Sequence, residues 1–205
     1  KKALNILFER KQVAAVVRKQ NLPFLQNLCG REDAFVLDLD DPFGNIGCVI
    51  MASGLGKRFG GNKLMADFCG QPMINRILDA TSVFFTRRVV VTRSEDVAMF
   101  CEDRGVETIL HDFPLRNDTV RLGIDAMPEI DRCMFAMADQ PLLQAETVAS
   151  LSLSSKVGVD LIWRTMCEGV PGSPVVFPKW AFPELKKLPD GKGGSIVIKK
   201  YFETL

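Results

Sequence analysis

Residues 46–205 are predicted to form a three-layer α/β/α, Rossmann-like domain around a mostly parallel sheet, preceded by a short appendage over residues 1–45. Three observations predict this. From Ile46 onward, short apolar runs with β-branched residues alternate with helical stretches, the pattern of βαβ units. The chain has 205 residues, 47% of them hydrophobic, enough for about one to one and a half domains with a sizeable core. Pro42 and Gly44 mark the change of pattern, and no repeat or low-complexity tract interrupts the remainder of the chain.

In the appendage, residues 3–20 carry strong helix formers with apolar positions at Leu4, Leu7, Phe8 and Ala15, and Asn21-Leu22-Pro23 supplies a stop. A helix is expected there. A second, shorter one is expected over Phe24–Cys29, before Gly30. Ala34–Leu39 reads as a strand running into a turn built from Asp38, Asp40, Asp41, Pro42 and Gly44, and the acidic cluster reads as solvated. A segment of this size has no independent core, so it should pack on the rest of the chain or on a partner.

In the main domain, strands are expected at Gly47–Met51, Arg88–Thr92, Glu107–Leu110, Cys133–Ala136, Asp160–Arg164 and Pro174–Phe177. Helices are expected at Met73–Phe84, Ser94–Arg104, Thr119–Met127, Ala145–Ser152, Pro178–Lys187 and Gly194–Glu203. Trp163 and Trp180 read as core or edge aromatics, and His111 as a solvated residue at a strand end.

Charge and composition exclude several classes of function. With 26 Lys+Arg against 25 Asp+Glu there is no broad basic field, which argues against nucleic-acid binding through the phosphate backbone. The longest unbroken apolar run, Cys133 to Ala138, is far shorter than the roughly 20 residues of a membrane span. Lys1 and Lys2 precede only a brief apolar patch before Glu9, Arg10 and Lys11, unlike a secretory signal, so a cytoplasmic location is expected. Cys29, Cys48, Cys69, Cys101, Cys133 and Cys167 are scattered without a CxxC pair and read as reduced core thiols.

The most informative stretch is Val49 to Lys63, an apolar strand entering a loop with four glycines (Gly54, Gly56, Gly60, Gly61) and three cations (Lys57, Arg58, Lys63). Such a loop suits a triphosphate. Glycines let successive backbone N–H groups approach phosphate oxygens, and the cations offset the charge that hydrogen bonds alone leave unbalanced. Arg58 can fork onto two oxygens, and Lys63 supplies a mobile point charge. The spacing is neither GxxxxGK[ST] nor GxGxxG, because Leu64 follows Lys63 and Phe59 stands at the third glycine position.

A second chemical group is Asp139, delivered by the apolar run Cys133–Ala138 to the carboxyl end of a strand and followed by Gln140-Pro141. Open α/β sheets collect ligands at that end. A hard Mg²⁺ ion takes one or two carboxylates and completes its shell with water and substrate phosphates, a role Asp139 suits. Further on, Asn117 or Asp118 reads as a helix N-cap, with Gly123 allowing close packing.

Met51-Ala52-Ser53-Gly54-Leu55-Gly56-Lys57-Arg58-Phe59-Gly60-Gly61-Asn62-Lys63 resembles the L-A-A-G-x-S-x-R-M-G-x-x-K fingerprint of the MobA-like nucleotidyltransferases, with Ser53 and Gly56 replacing the family's Ala and Ser. Ala138-Asp139-Gln140-Pro141 resembles that family's metal-binding A-D-Q-P signature. Arg116 to Ile124 resembles its G-M-S-x-S-L-x-x-G-L segment, Gly172 to Pro178 its G-H-P-V-x-F-P, and Leu188 to Ser195 its G-D-R-G-A-R region. The match is nearer the molybdenum cofactor cytidylyltransferase branch and covers about residues 46–200.

The resemblance implies the nucleotide-diphospho-sugar transferase type of fold and a Mg²⁺-dependent transfer of CMP from CTP to a molybdopterin acceptor, with pyrophosphate released. It implies nucleotide binding by Ala52, Ser53, Gly54, Leu55, Gly56, Lys57, Arg58 and Lys63, with Asn117 or Thr119 on a base edge. Arg58, Lys63 and Asp139 are then the catalytic residues. Asp139 is the metal ligand with Asp190 as a second, and Ser173 and Lys192 lie on the acceptor side. A molybdenum hydroxylase or cofactor-insertion protein would be the partner. The alternatives are a guanylyltransferase using GTP, transfer to a sugar phosphate, or a non-catalytic cofactor-handling protein. Gly56 and Ser173 favour the last, since each lacks a group that the family has.

Overall fold

The computed structural model describes residues 13–17, 34–38, 43–54, 59–82 and 84–202. The chain divides into two compact units, Lys1–Gly44 and Asn45–Leu205. In the first, β1 (Val13–Val17) pairs in parallel with β2 (Ala34–Asp38), Val13 opposite Ala34 and Val17 opposite Asp38. The helix expected over 3–20 is therefore corrected at residues 13–17, which form a strand. Val-Ala-Ala-Val-Val has three β-branched residues in five, stiff side chains that suit a pleated strand, and a pairing partner overrides the helix formers on either side. The helix expected at Phe24–Cys29 lies outside the described residues.

The second unit begins with β3 (Ile46–Ala52), the small hairpin β4 (Asp67–Phe68) and β5 (Gln71–Pro72), and helix α1 (Ile74–Ala80). Next come β6 (Arg87–Thr92), α2 (Glu95–Glu102), β7 (Glu107–Leu110), α3 (Arg116–Asp125) and β8 (Arg132–Met137). The chain continues through α4 (Ala145–Val157), β9 (Trp163–Cys167), β10 (Val170–Pro178), α5 (Phe182–Lys186) and α6 (Ser195–Phe202). The main sheet has the order β7-β6-β3-β8-β10-β9. β7, β6, β3 and β8 are parallel, and β10 is antiparallel to both its neighbours.

All of β3 is buried, as a central strand covered on both faces must be. Val49, Met51, Val89 and Val91 face Val120 and Ile124 of α3, Leu185 of α5 and Val197 of α6. The alternate residues Cys48, Ile50 and Val90 are buried on the opposite face. On that face Arg88 donates from Nη1 to the Leu78 carbonyl (2.5 Å) and to Thr81 Oγ1 (3.0 Å) at the end of α1. Burial pushes the Cys48 thiol up to about 12 and that of Cys101 up to about 11, so both are inert core groups, whereas Cys69 and Cys167 are exposed.

Several boundaries differ from expectation for local reasons. α1 stops at Ala80 rather than Phe84, because Thr81 Oγ1 donates back to the Ile77 carbonyl (2.7 Å) and Ser82 Oγ to that of Asp79 (2.9 Å), closing the last turn. α4 runs past Ser152 to Val157, since Ser152 and Ser155 bury their hydroxyls on the Val148 and Ser152 carbonyls. α3 begins at Arg116, not Thr119. Asp118 sits inside the helix and accepts from the Leu115 N–H (3.3 Å), half of a capping box.

β9 lies three residues beyond its expected start because Glu168 and Gly169, with φ of 48° and 77°, form a two-residue turn that fixes the register of the β9–β10 hairpin. Cys69 and Gly70, with φ of 57° and 84°, do the same for the β4–β5 hairpin, for which the residue pattern gave no expectation. No helix among the described residues is long and apolar enough to cross a membrane.

Candidate functional site

Strand order reverses at β3: the chain moves outward through β6 and β7 on one side, then returns to place β8 on the other. The carboxyl ends of β3 and β8 therefore flank the crevice in which such sheets bind ligands. Met51 is opposite Met137, and Ala138 N donates to the Met51 carbonyl (3.1 Å), so Asp139 is the first residue beyond the ladder. On the β3 side the chain leaves as Ser53-Gly54.

The loop returns at Asn62-Lys63. Asn62 Nδ2 donates to Ser94 Oγ (2.7 Å), the N-cap of α2, and Leu64 is buried within the short 3₁₀ turn Lys63–Met65. These anchors bring Lys63 Nζ to 3.3 Å from Asp139 Oδ2, with side-chain exposures of 38% and 48%. A pocket of about 250 Å³ lies beside them, lined by Ala52, Ser53, Gly54, Asn62, Arg93, Ser94 and Asp96. Arg93 follows the end of β6, and among the described residues its buried Nε has no partner.

Beneath the pocket is a small polar network. Ser53 Oγ donates to the Val91 carbonyl (3.1 Å), accepts from Thr119 Oγ1 (2.9 Å) and lies 2.8 Å from His111 Nε2. With its own proton on Val91, Ser53 has a lone pair for an Nε2–H, which sets the neutral tautomer of His111. His111 Nδ1 is then an unprotonated buried atom without a partner among the described residues. Burial, aided by the Arg93 charge, holds the His111 pKa below its usual 6.5, against the opposing pull of Asp118 and Asp112. His111 is thus a half-buried member of the site, a correction to its reading as a solvated residue.

The unfolded chain takes up the His111 proton at a higher pH than the folded one. The stabilisation is complete above about 6.5 and is lost as pH falls through the lower folded value. Thermal melts from pH 7.5 to 5 should show a smaller decline for His111→Gln, which keeps a donor to Ser53 without titrating. Equal declines would exclude His111 as a source of the pH dependence.

Of the other expected site residues, Leu55, Gly56, Lys57 and Arg58 lie outside the described residues. Thr119 is 1% exposed and reaches the site through Ser53. Asn117 clasps the turn around Asp190, its Nδ2 donating to the Leu188 carbonyl (3.4 Å) and its Oδ1 accepting from Gly191 N (3.0 Å). Asp190 and Lys192 are exposed on that turn. Ser173 lines a separate pocket, and its carbonyl accepts from Gln140 Nε2 (3.3 Å), next to Asp139. Sequence reasoning passed over Asn62, Arg93 and the Ser53–His111 contact. A charged residue directly after a parallel strand was the available signal for Arg93.

Among the described residues no three His, Cys, Asp or Glu side chains cluster to hold a metal. One half-exposed carboxylate beside a lysine fits a divalent ion that arrives on phosphate oxygens and keeps its waters, rather than a caged resident ion.

The sequence pattern of the MobA-like NTP transferase domain matches residues 48–205. The chain belongs to the MobA-like NTP transferase domain family. A curated relative, the bifunctional protein GlmU of Thermoanaerobacter pseudethanolicus, is 28% identical over 109 residues, covering 50% of this chain and 24% of GlmU. The chain thus spans about a quarter of that relative's length. Among solved structures, Rv0371c of Mycobacterium tuberculosis H37Rv superposes with a TM-score of 0.65 at 20% identity, over 73% of this chain and 80% of that one. The same protein in complex with manganese gives 0.60 at 17% identity, over 76% and 80%. Molybdopterin-guanine dinucleotide biosynthesis protein A of Archaeoglobus fulgidus gives 0.53 at 24% identity, over 69% and 71%. All three share the fold of this chain, and family membership places this chain among the NTP transferases.

Proposed function

We propose that the domain transfers a nucleoside monophosphate from an NTP to a phosphate-bearing acceptor. The observation that supports this reading is the Lys63–Asp139 pair at the switch point between β3 and β8. As an exposed ion pair it contributes at most about 1 kcal/mol to stability, so its members separate at little cost. An NTP supplies phosphate oxygens to Lys63 and, with its metal, a cation to Asp139. Each charge then gains a stronger partner than the one it leaves.

An oxygen of the acceptor phosphate attacks the α-phosphorus, the bond from that phosphorus to the bridging oxygen breaks, and pyrophosphate leaves as a new diphosphate bond forms. The glycine amides of the loop, Arg58 and Lys63 hold the β- and γ-phosphates. Asp139 would hold a Mg²⁺ ion arriving with the nucleotide, which would supply charge compensation at the α-phosphate. The acceptor already carries an anionic oxygen, so positioning replaces a protein base. Neutral His111 acts on Ser53 as a positioning residue.

CTP is the proposed donor and a molybdopterin phosphate the acceptor, on the resemblance of the loop, of Ala138–Pro141 and of Gly172–Pro178 to the cytidylyltransferase branch. GTP is the second reading, favoured by the Archaeoglobus neighbour, whose name specifies a guanine dinucleotide. A pyrophosphate-release assay with the four NTPs, Mg²⁺ or Mn²⁺, and molybdopterin or a sugar phosphate decides. The proposal expects turnover with CTP and molybdopterin. GTP-only turnover selects the second reading, and binding without turnover contradicts both.

Lys63→Ala is expected to weaken binding of a non-hydrolysable NTP about 10- to 100-fold in calorimetry, the loss of one charge-assisted contact. The fold should be unaffected, because the side chain is half exposed.

A further inference from the structure

The segment that carries Lys63 is held as one piece with the helix that follows it. Leu64 is buried in the 3₁₀ turn, and Met73 N donates to the Ala66 carbonyl (2.9 Å), closing the β4–β5 hairpin so that α1 begins directly behind it. Ile74, Ile77 and Leu78 bury the inner face of α1. Asn75, also buried, adds polar ties: its Nδ2 donates to Gln71 Oε1 in the hairpin and to Asp79 Oδ2 (2.9 Å), and its Oδ1 accepts from Arg104 Nε (2.9 Å), just past α2. Lys63 and α1 therefore keep a fixed relation to each other.

Arg76, the next residue on α1, is exposed, and its Nε donates to the Pro141 carbonyl (3.4 Å), 65 residues along the chain. Pro141 belongs to the turn that follows Asp139, which Leu143 N closes by donating to the Gln140 carbonyl (3.2 Å). The same segment thus reaches one turn with two cations, Lys63 on the Asp139 carboxylate and Arg76 on a carbonyl two residues later. A nucleotide affects these two links differently. Lys63 and Asp139 each exchange their partner for a phosphate or a metal, whereas the Pro141 carbonyl meets no competing charge. A charge-assisted hydrogen bond to that carbonyl therefore stays when the ion pair opens. Its role follows from the demands of the metal: Mg²⁺ requires ligands at about 2.0–2.1 Å in near-ideal geometry, and a displacement of about 1 Å at a reacting centre costs on the order of 100-fold in rate.

We propose that Arg76 is a positioning residue for nucleotidyl transfer, its Nε–H holding the Asp139–Pro141 turn in register with the Lys63 segment once Lys63 has turned to the phosphates. The inference rests on the transfer reading and adds to it a residue that acts through Asp139 rather than on the substrate.

Two substitutions separate the bond from the charge. Arg76→Gln places an amide nitrogen where Nε stands, a donor without the charge, whereas Arg76→Met keeps the length of the stem and donates nothing. The position is exposed, so both variants should melt within about 2 °C of wild type. The readouts are pyrophosphate release from CTP and molybdopterin across a Mg²⁺ titration, and calorimetry of a CTP analogue with a methylene bridge between the α- and β-phosphates, with and without Mn²⁺. Arg76→Met should raise the half-saturating Mg²⁺ concentration about tenfold and weaken the Mn²⁺-loaded analogue about tenfold, about 1.4 kcal/mol. The metal-free analogue should bind it within about twofold of wild type, and Arg76→Gln should recover to within about threefold in every readout. A metal dependence in Arg76→Met within twofold of wild type, or an equal loss with and without Mn²⁺, overturns the inference. Arg76→Gln as impaired as Arg76→Met overturns the hydrogen bond as its cause. A wild type that releases no pyrophosphate from any NTP sinks the transfer reading alone, since the Mn²⁺ calorimetry reads Arg76 without turnover.

Discussion

Asp139→Ala should lower pyrophosphate release about 100- to 1000-fold while leaving the protein folded. The side chain is 48% exposed and its one ion pair is with an exposed lysine, so little stability is at stake. What is lost is the anchor for a metal-bound nucleotide and the charge compensation it provides in the transition state. Metal-free NTP should bind the variant at least as well as wild type, because Lys63 loses its competing carboxylate. Asp139→Asn, which keeps an oxygen ligand without the charge, should fall between. Initial rates across a Mg²⁺ titration check all three statements, and a rate within tenfold of wild type in Asp139→Ala would remove the carboxylate from the mechanism.

Gly123→Val should clearly destabilise the fold. A Cβ at this position would lie 2.5 Å from Val49 Cγ2 and 2.6 Å from Cγ1, inside the fully buried centre of β3. Helix α3 rests directly on the strand, and even Ala forces one of them to move. Overpacking of this kind costs about 1–3 kcal/mol, and exchanging Gly for Val regains under 1 kcal/mol of helix propensity. Val adds two γ-methyls to the collision, so the upper end applies, a drop of about 5–10 °C in Tm. Gly61→Ala, where the added methyl meets nothing within 4 Å, is the comparison and should melt within about 2 °C of wild type. Because α3 also presents Thr119 to Ser53, any Gly123→Val protein that folds should bind nucleotide more weakly.

What could be read from residues alone depends on the range of the interactions involved. The buried strand Ile46–Ala52 was legible because a short apolar run with β-branched residues is a local signal. Asp139 was legible because an apolar run ended on it. The reversal of β10 and the three-residue shift of β9 depend on the Glu168-Gly169 turn, a two-residue signal with Glu where Asn or Gly is usual. Val13–Val17 became a strand only because Ala34–Asp38 pairs with it, a partner 21 residues away in register. Asn117 shows the same dependence on range within the site: its amide closes a turn more than 70 residues downstream, which its type alone does not reveal. The reach of Arg76 to the Pro141 carbonyl was invisible in the sequence for that reason.

The central claim is that Lys63 and Asp139 close on an NTP whose α-phosphorus is the one transferred. Following the label from α-³²P-CTP and γ-³²P-CTP, each with Mg²⁺ and the phosphate acceptor, tests it directly. The α label is expected in a diphosphate-linked product and the γ label entirely in pyrophosphate, both lost in Asp139→Ala. Appearance of the γ label on the acceptor, or release of CMP and pyrophosphate without a joined product, would contradict it.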